Sequence, residues 1–286
     1  MTQSLASIRE KLNHLEAQTQ DLSGHFQHTY QQYLQRLDQV LQQQMILAIH
    51  QVCTHLYPDE FLQLNFSERQ QFQSQVHRLS GQFQTKLTSL LHHQGILLLP
   101  MMALPTLLSS EDGHPLAPPP PFSHPEELGQ WCRRLEQGLQ MVLEELSHTA
   151  NQLLQEAKIL PNHLPPQVLE MALQAQDNGM NINRSKIPHV LSLLVETNQR
   201  SEASKEEGDE EDGDGGQVSK LIAIHLRLTD IEFADASLAL LRKQLRQLVE
   251  HLKKLHQYHH QLQREARIAE AERAWQSSWS IAAAQD

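Results

Sequence analysis

Aromatic residues make up only 5% of this chain of 286 residues, which also holds just 11 glycines and two cysteines. With so few aromatics, apolar burial has to come from leucine and alanine. Few glycines and long glutamine-rich stretches favour helices over sheets. Cys53 and Cys132 lie far apart and in no metal-ligand spacing, so they read as structural thiols in a reducing compartment. Long apolar runs are scarce as well. The one candidate, GILLLPMMALPTLL at residues 95–108, is too short and too interrupted by Pro100 and Pro105 to cross a bilayer as a helix. It reads as an extended segment packed on a helical surface. The opening MTQSLASIREKL lacks the basic start and apolar core of a signal peptide, which predicts a cytoplasmic protein. Catalytic signatures are also missing: there is no phosphate-cradling glycine loop, no HExxH pair and no nucleophile elbow. The expectation is a non-enzyme with no cofactor and no metal.

The charge that is present is unevenly spread. The formal net charge is -11, and the eight acids and one lysine of SEASKEEGDEEDGDGG, residues 201–216, account for -7 of it. That stretch superficially resembles a calcium loop, but counting from Asp212 puts Gly216 at the fifth position and Ala223 at the twelfth, where oxygen ligands are needed. Low hydrophobicity and high charge make residues 199–217 an acidic disordered linker. Prolines mark a second connector at residues 96–124, with Pro115, the run Pro118–Pro121 and polyproline II stiffness.

Between these connectors the apolar spacing is helical. Leu5, Ile8, Leu12, Leu15, Leu22, Phe26, Tyr30, Leu34, Leu37, Leu41, Met45, Ala48 and Val52 recur at three and four, with a break or kink near Ser23–Gly24 and a stop at Pro58. Ser67 and Gln70 have capping-box spacing, and Phe72, Val76, Leu79, Phe83, Leu87 and Leu90 continue as a second long helix. Residues 1–95 therefore read as an N-terminal long-helix hairpin. Residues 125–198 read as a helical segment packing on it: Leu128 to Ala157 first, then shorter helices in QVLEMALQAQ and HVLSLLVET. In KLIAIHLRLTD, Ile222, Ile224, Leu226 and Leu228 alternate as in a strand, while Leu221, Ile224, Leu228 and Ile231 fit a helix. With no second convincing strand to pair with, the helix is favoured. Residues 218–286 then form a C-terminal coiled-coil helix with a tryptophan-containing tail. Its heptad seam runs through Leu238, Leu241, Leu245, Leu248, Leu252, Leu255, His259 and Leu262. The fold class is all-α: long antiparallel helices in a bundle plus the coiled-coil helix, with proline-rich and acidic linkers.

The stretches LAIHQVCTHLYPDEFLQLNFSERQQFQ, RLTDIEFADASLALLRKQLRQLVEHLKKL and REARIAEAERAWQSSW are similar to a family of uncharacterised helical proteins from cyanobacteria. The resemblance covers both ends of the chain. It implies a bacterial, cytoplasmic context and carries no activity and no site residues.

Three features remain as candidates for function. His256 and His260 are four apart on a helix and face one way, yet a zinc site needs more ligands than the neighbouring glutamines supply. His259 falls in the seam, where a polar residue fixes register or oligomer state. Seven Lys or Arg against two acids between Arg242 and Arg267 form a basic face. Trp275 and Trp279 share one face of the final helix and read either as residues folded onto the bundle or as an exposed anchor for another protein. Together they point to a scaffold or adaptor working through helix–helix contacts with a partner protein, a homodimer among the options. The alternative is a basic-helix module for nucleic acid or an anionic membrane surface.

Overall fold

The computed structural model describes residues 5–92, 122–160, 187–197 and 217–282. It is an all-α fold with one addition, a two-stranded antiparallel ribbon. The bulk of the proline-rich connector, the segment QVLEMALQAQ and nearly all of the acidic linker fall outside the described residues.

Helix α1 (Leu5–Gln51) is 47 residues long, roughly 70 Å at the α-helical rise. It runs without interruption through Ser23–Gly24, where the sequence suggests a break. Leu22 and Phe26 on either side are buried, and Ser23 is buried with them, its hydroxyl accepting the backbone N–H of Phe122 at 3.4 Å. Packing on both sides overrides the weak helix propensity of a Ser–Gly pair. A π-helical turn (Val52–Leu56) ends the run, with the N–H of Tyr57 donating to the Val52 carbonyl at 2.9 Å. Pro58 then opens a short helix α2 (Pro58–Gln63), within a stretch that reads as loop.

Helix α3 (Phe66–His92) starts one residue before Ser67, so the capping box is not Ser67 with Gln70. It is Asn65 with Glu68: Asn65 Oδ1 accepts the Glu68 N–H at 2.9 Å and Glu68 Oε2 accepts the Asn65 N–H at 2.8 Å. Helix α4 (Pro125–Glu156) begins as its sequence indicates, with Pro125 at the first position and two glutamates in the first turn. Its C-terminus closes as a Schellman motif: Lys158 donates to the Gln155 carbonyl and Ile159 to the Leu154 carbonyl. Lys158, at φ 59°, takes the left-handed position that glycine usually fills, and Ile159 and Leu160 are buried just beyond it.

Two segments expected to be helical are strands. HVLSLLVET contributes β1 (Val190–Thr197) and KLIAI lies in β2 (Gln217–Ile224), paired antiparallel from Val190↔Ile224 to Thr197↔Gln217. Each is the partner that the other seemed to lack. Val190, Leu191, Ile222, Ala223 and Ile224 are all buried, so no clean alternation distinguishes strand from helix here. Residues 225–227 link the ribbon to the next helix. Helix α5 (Leu228–Ala234) and helix α6 (Ala236–Ala282) follow, so the C-terminal segment becomes helical from Leu228 rather than from residue 218. Asp235 separates the two, its carboxylate accepting the N–H of Leu238 at 2.9 Å as the N-cap of α6.

The chain forms two compact units: unit 1 combines residues 1–39, 84–142 and 232–286, and unit 2 combines 40–83 and 143–231. In unit 1 the contacts fix the helix directions. Gln20 meets Ser123 and Tyr30 meets Glu136, so α1 and α4 run parallel. Arg36 meets Asp235 and Glu136 meets Arg242, while His124 at the head of α4 meets His259, so α6 runs antiparallel to both. Phe26, Tyr30, Leu128, Trp131, Leu135, Leu238 and Leu245 are among its core residues, with the Tyr30 and Trp131 rings edge to face at 5.5 Å.

In unit 2, α4 is tied to the ribbon by two polar side chains. Asn151 spends both ends of its carboxamide on Ile224, donating to its carbonyl at 2.9 Å and accepting its N–H at 2.7 Å, and the Ser147 hydroxyl accepts the Leu226 N–H at 2.9 Å. Asn151 thus sits where the peptide of a third strand would pair. Opposite it, the His225 N–H donates to the His189 carbonyl at 2.9 Å, which extends the ladder by one rung. His189 is buried at φ 60°, and burial lowers its ring pKa against the opposing pull of Asp230.

Candidate interaction site

The seam of α6 is occupied within unit 1. Leu238, Leu245, Leu252, Leu255 and Leu262 are buried, and Leu241 and Leu248 are half-buried. Leu252 lies over Gly129 of α4, where an added Cβ would stand 3.9 Å from a Leu252 methyl, an ordinary van der Waals contact. Leu248 lines a shallow groove with Leu22, Gln18, Asp21 and His25 of α1 and His251 of α6. The seam residues therefore hold α6 to its own chain.

His259, the polar member of the seam, is half-buried with its ring centroid 5.9 Å from that of His124. The rings of His256 and His260 stand edge to face at 5.0 Å. Among the described residues no group of three or more His, Cys, Asp or Glu side chains has the geometry to hold a metal ion. Both cysteines are buried free thiols. Burial pushes each up to about 12, with Glu136 adding to the effect at Cys132, so the thiol form prevails at neutral pH.

Beyond Leu262 the helix changes character. From Glu270 to Gln276 every side chain is exposed, and Trp275 is 68% accessible. Ile268, 47% accessible, lies seven residues before Trp275 and therefore on the same face. Trp279 lies within α6, but its side chain is outside the described residues. The basic face is exposed too: Lys243, Arg246 and Lys254 line a surface groove with Gln247, Glu250 and His251. Glu250 interrupts it and engages Lys253 at 2.7 Å, which lowers the Glu250 pKa through the hydrogen bond and the charge.

One cluster in unit 1 went unseen in the sequence. Glu136 of α4 accepts from the Tyr30 hydroxyl at 2.8 Å and from both terminal nitrogens of Arg242, at 2.5 and 2.9 Å. Arg242 also places Nε 3.2 Å from Glu232, and Glu232 accepts from the Tyr33 hydroxyl at 2.5 Å. The guanidinium stands 5.8 Å from the centre of the Tyr33 ring. One turn away, Arg36 donates to both oxygens of Asp235, at 3.3 and 2.6 Å. Burial first, and then the neighbouring carboxylates, pushes both phenols well above their ordinary range, so they remain donors. At Arg242 burial opposes the charge but the bond to Glu136 and the surrounding anions outweigh it, raising the pKa further. These groups satisfy one another, and the chemistry they perform is to clasp α1, α4, α5 and α6. The partners are 106 and 199 residues apart in sequence, beyond the reach of any local pattern.

No protein-family model matches the chain, and no curated protein or solved structure matches it either. Among the described residues no helix is long and apolar enough to cross a membrane.

Proposed function

We propose that this protein is a non-enzymatic scaffold or adaptor of the cytoplasm that engages a partner protein through helix–helix contacts on the distal part of α6. The observation that carries this reading is the division of α6. Its seam leucines from Leu238 to Leu262 are buried or half-buried in unit 1, whereas Trp275 and the turns around it are presented to solvent. Ile268, Ala271 and Trp275 give the i, i+3, i+7 anchors by which a helix lies against an apolar partner, and tryptophan contributes disproportionately at such surfaces. A second copy of the chain is one such partner, and light scattering separates that case from a foreign protein.

The test is a quantitative affinity purification with the intact chain and with Trp275→Ala from the cells that make it. The variant is expected to lose the bound protein, with binding weakened about 30-fold, as for an anchor contributing about 2 kcal/mol. Equal recovery by both chains removes the reading. A second reading, binding of nucleic acid or an anionic membrane surface, draws on Lys243, Arg246 and Lys254. It is the weaker of the two because Glu250 sits inside that groove and takes up Lys253.

A further inference from the structure

One end of unit 1 gathers four imidazoles. His124 stands at the head of α4, its carbonyl accepting the Leu128 N–H at 3.3 Å. His256, His259 and His260 come from one turn of α6, and the His124 and His259 rings are in contact across the two helices. His259 occupies a seam position between Leu255 and Leu262, both buried, where the rest of the seam carries leucine. Its Nε2 lies 3.4 Å from the Gln263 amide nitrogen, an arrangement that suits an uncharged ring accepting a hydrogen bond from the amide. The charged and titratable groups around His259 are three histidines and one acid, Glu16 of α1. The neutral ring therefore fits the seam, and a charged one sits against three imidazoles with a single carboxylate to offset it.

We propose that this histidine cluster makes the contact between the head of α4 and the distal seam of α6 acid-sensitive, so that protonation parts the two helices locally. Burial, and then His124, His256 and His260, lower the His259 pKa from the ordinary 6.5, with only Glu16 opposing. A folded-state pKa below the unfolded one means that the unfolded chain takes up the proton first as the pH falls. The contribution to stability is therefore complete above the ordinary histidine value and lost progressively below it. The inference stands apart from the adaptor reading, because what it predicts is local opening rather than binding.

Hydrogen exchange on the full chain tests it, with rates at pH 7.5 and 5.5 corrected for the intrinsic pH dependence of exchange. The amides of residues 255–262 are expected to lose protection at the lower pH, as the opened state takes up protons that the packed one resists. His259→Leu, which completes the leucine seam, is expected to keep its protection, and His124→Gln to show a smaller loss than the wild type. His189 in unit 2 supplies an internal comparison, since any acid response in residues 222–226 should persist in both variants. Full protection of 255–262 at pH 5.5 in the wild-type chain overturns the proposal, and so does an undiminished loss in both variants.

Discussion

Replacing Arg242 with methionine is expected to cost about 2–4 kcal/mol of folding free energy, below the most that a fully buried ion pair loses with one partner, because the Arg242 and Glu136 side chains keep 22% and 31% of their surface exposed. The size follows from what stays behind. Glu136 would lose two of its three donors and Glu232 would keep only the Tyr33 hydroxyl, leaving two carboxylates facing each other with no cation between them. Denaturant unfolding followed by circular dichroism measures this directly, and a drop in Tm of roughly 10 °C should accompany it. The triple variant Glu136→Leu, Arg242→Met, Glu232→Leu separates two meanings of the clasp. It should recover most of the lost stability, because apolar side chains of similar size can replace a buried ionic group at little net cost. A single Arg242→Met variant within 1 kcal/mol of the wild type would show that water reaches and solvates the cluster.

Asn151→Ala is expected to destabilise the chain by about 2–4 kcal/mol. The loss combines two hydrogen bonds with the desolvation of a backbone N–H and C=O left unpaired at Ile224, each unpaired group costing about 1–3 kcal/mol. Ile224 is 1% exposed, so water does not replace the amide without a change in packing. Asn151→Asp is the informative comparison: it can still accept from the Ile224 N–H but turns a second acceptor toward its carbonyl. Both variants should lose protection first in residues 222–226, measured by hydrogen exchange. If the ribbon remains protected in Asn151→Ala, Asn151 is not what terminates the sheet edge.

The sequence made the long helices legible because their apolar residues repeat: Leu22, Phe26, Tyr30, Leu34, Leu37 and Leu41 of α1 are all buried, as are Leu128, Trp131, Leu135 and Leu139 of α4. Local propensity misled only where packing decided otherwise. Ser23 and Gly24 read as a break and are helical, because Ser23 fills a buried site against Phe122. The ribbon was hidden for a different reason. Its two strands have 19 residues between their nearer ends and are buried at their far ends, so each alone looked like part of a helix. The heptad pattern of α6 identified the residues that pack, but periodicity is silent on what covers them, and the cover is the chain's own α1 and α4. The clasp left no trace, since Tyr30 and Tyr33 look like ordinary members of an apolar stripe. Trp275 was visible as a residue type, and its exposure became apparent only with the leucines before it accounted for.

The pairing of α1 with α6 also has a consequence in time. Tyr33 finds Glu232 across 199 residues of chain. At a synthesis rate of about 5–20 residues per second, the apolar face of α1 waits on the order of 10–40 s for α6 to emerge. During that interval Tyr33 lacks both Glu232 and Arg242, its partners in the folded chain. The vulnerable moment of this pairing thus falls during synthesis, before α6 is made.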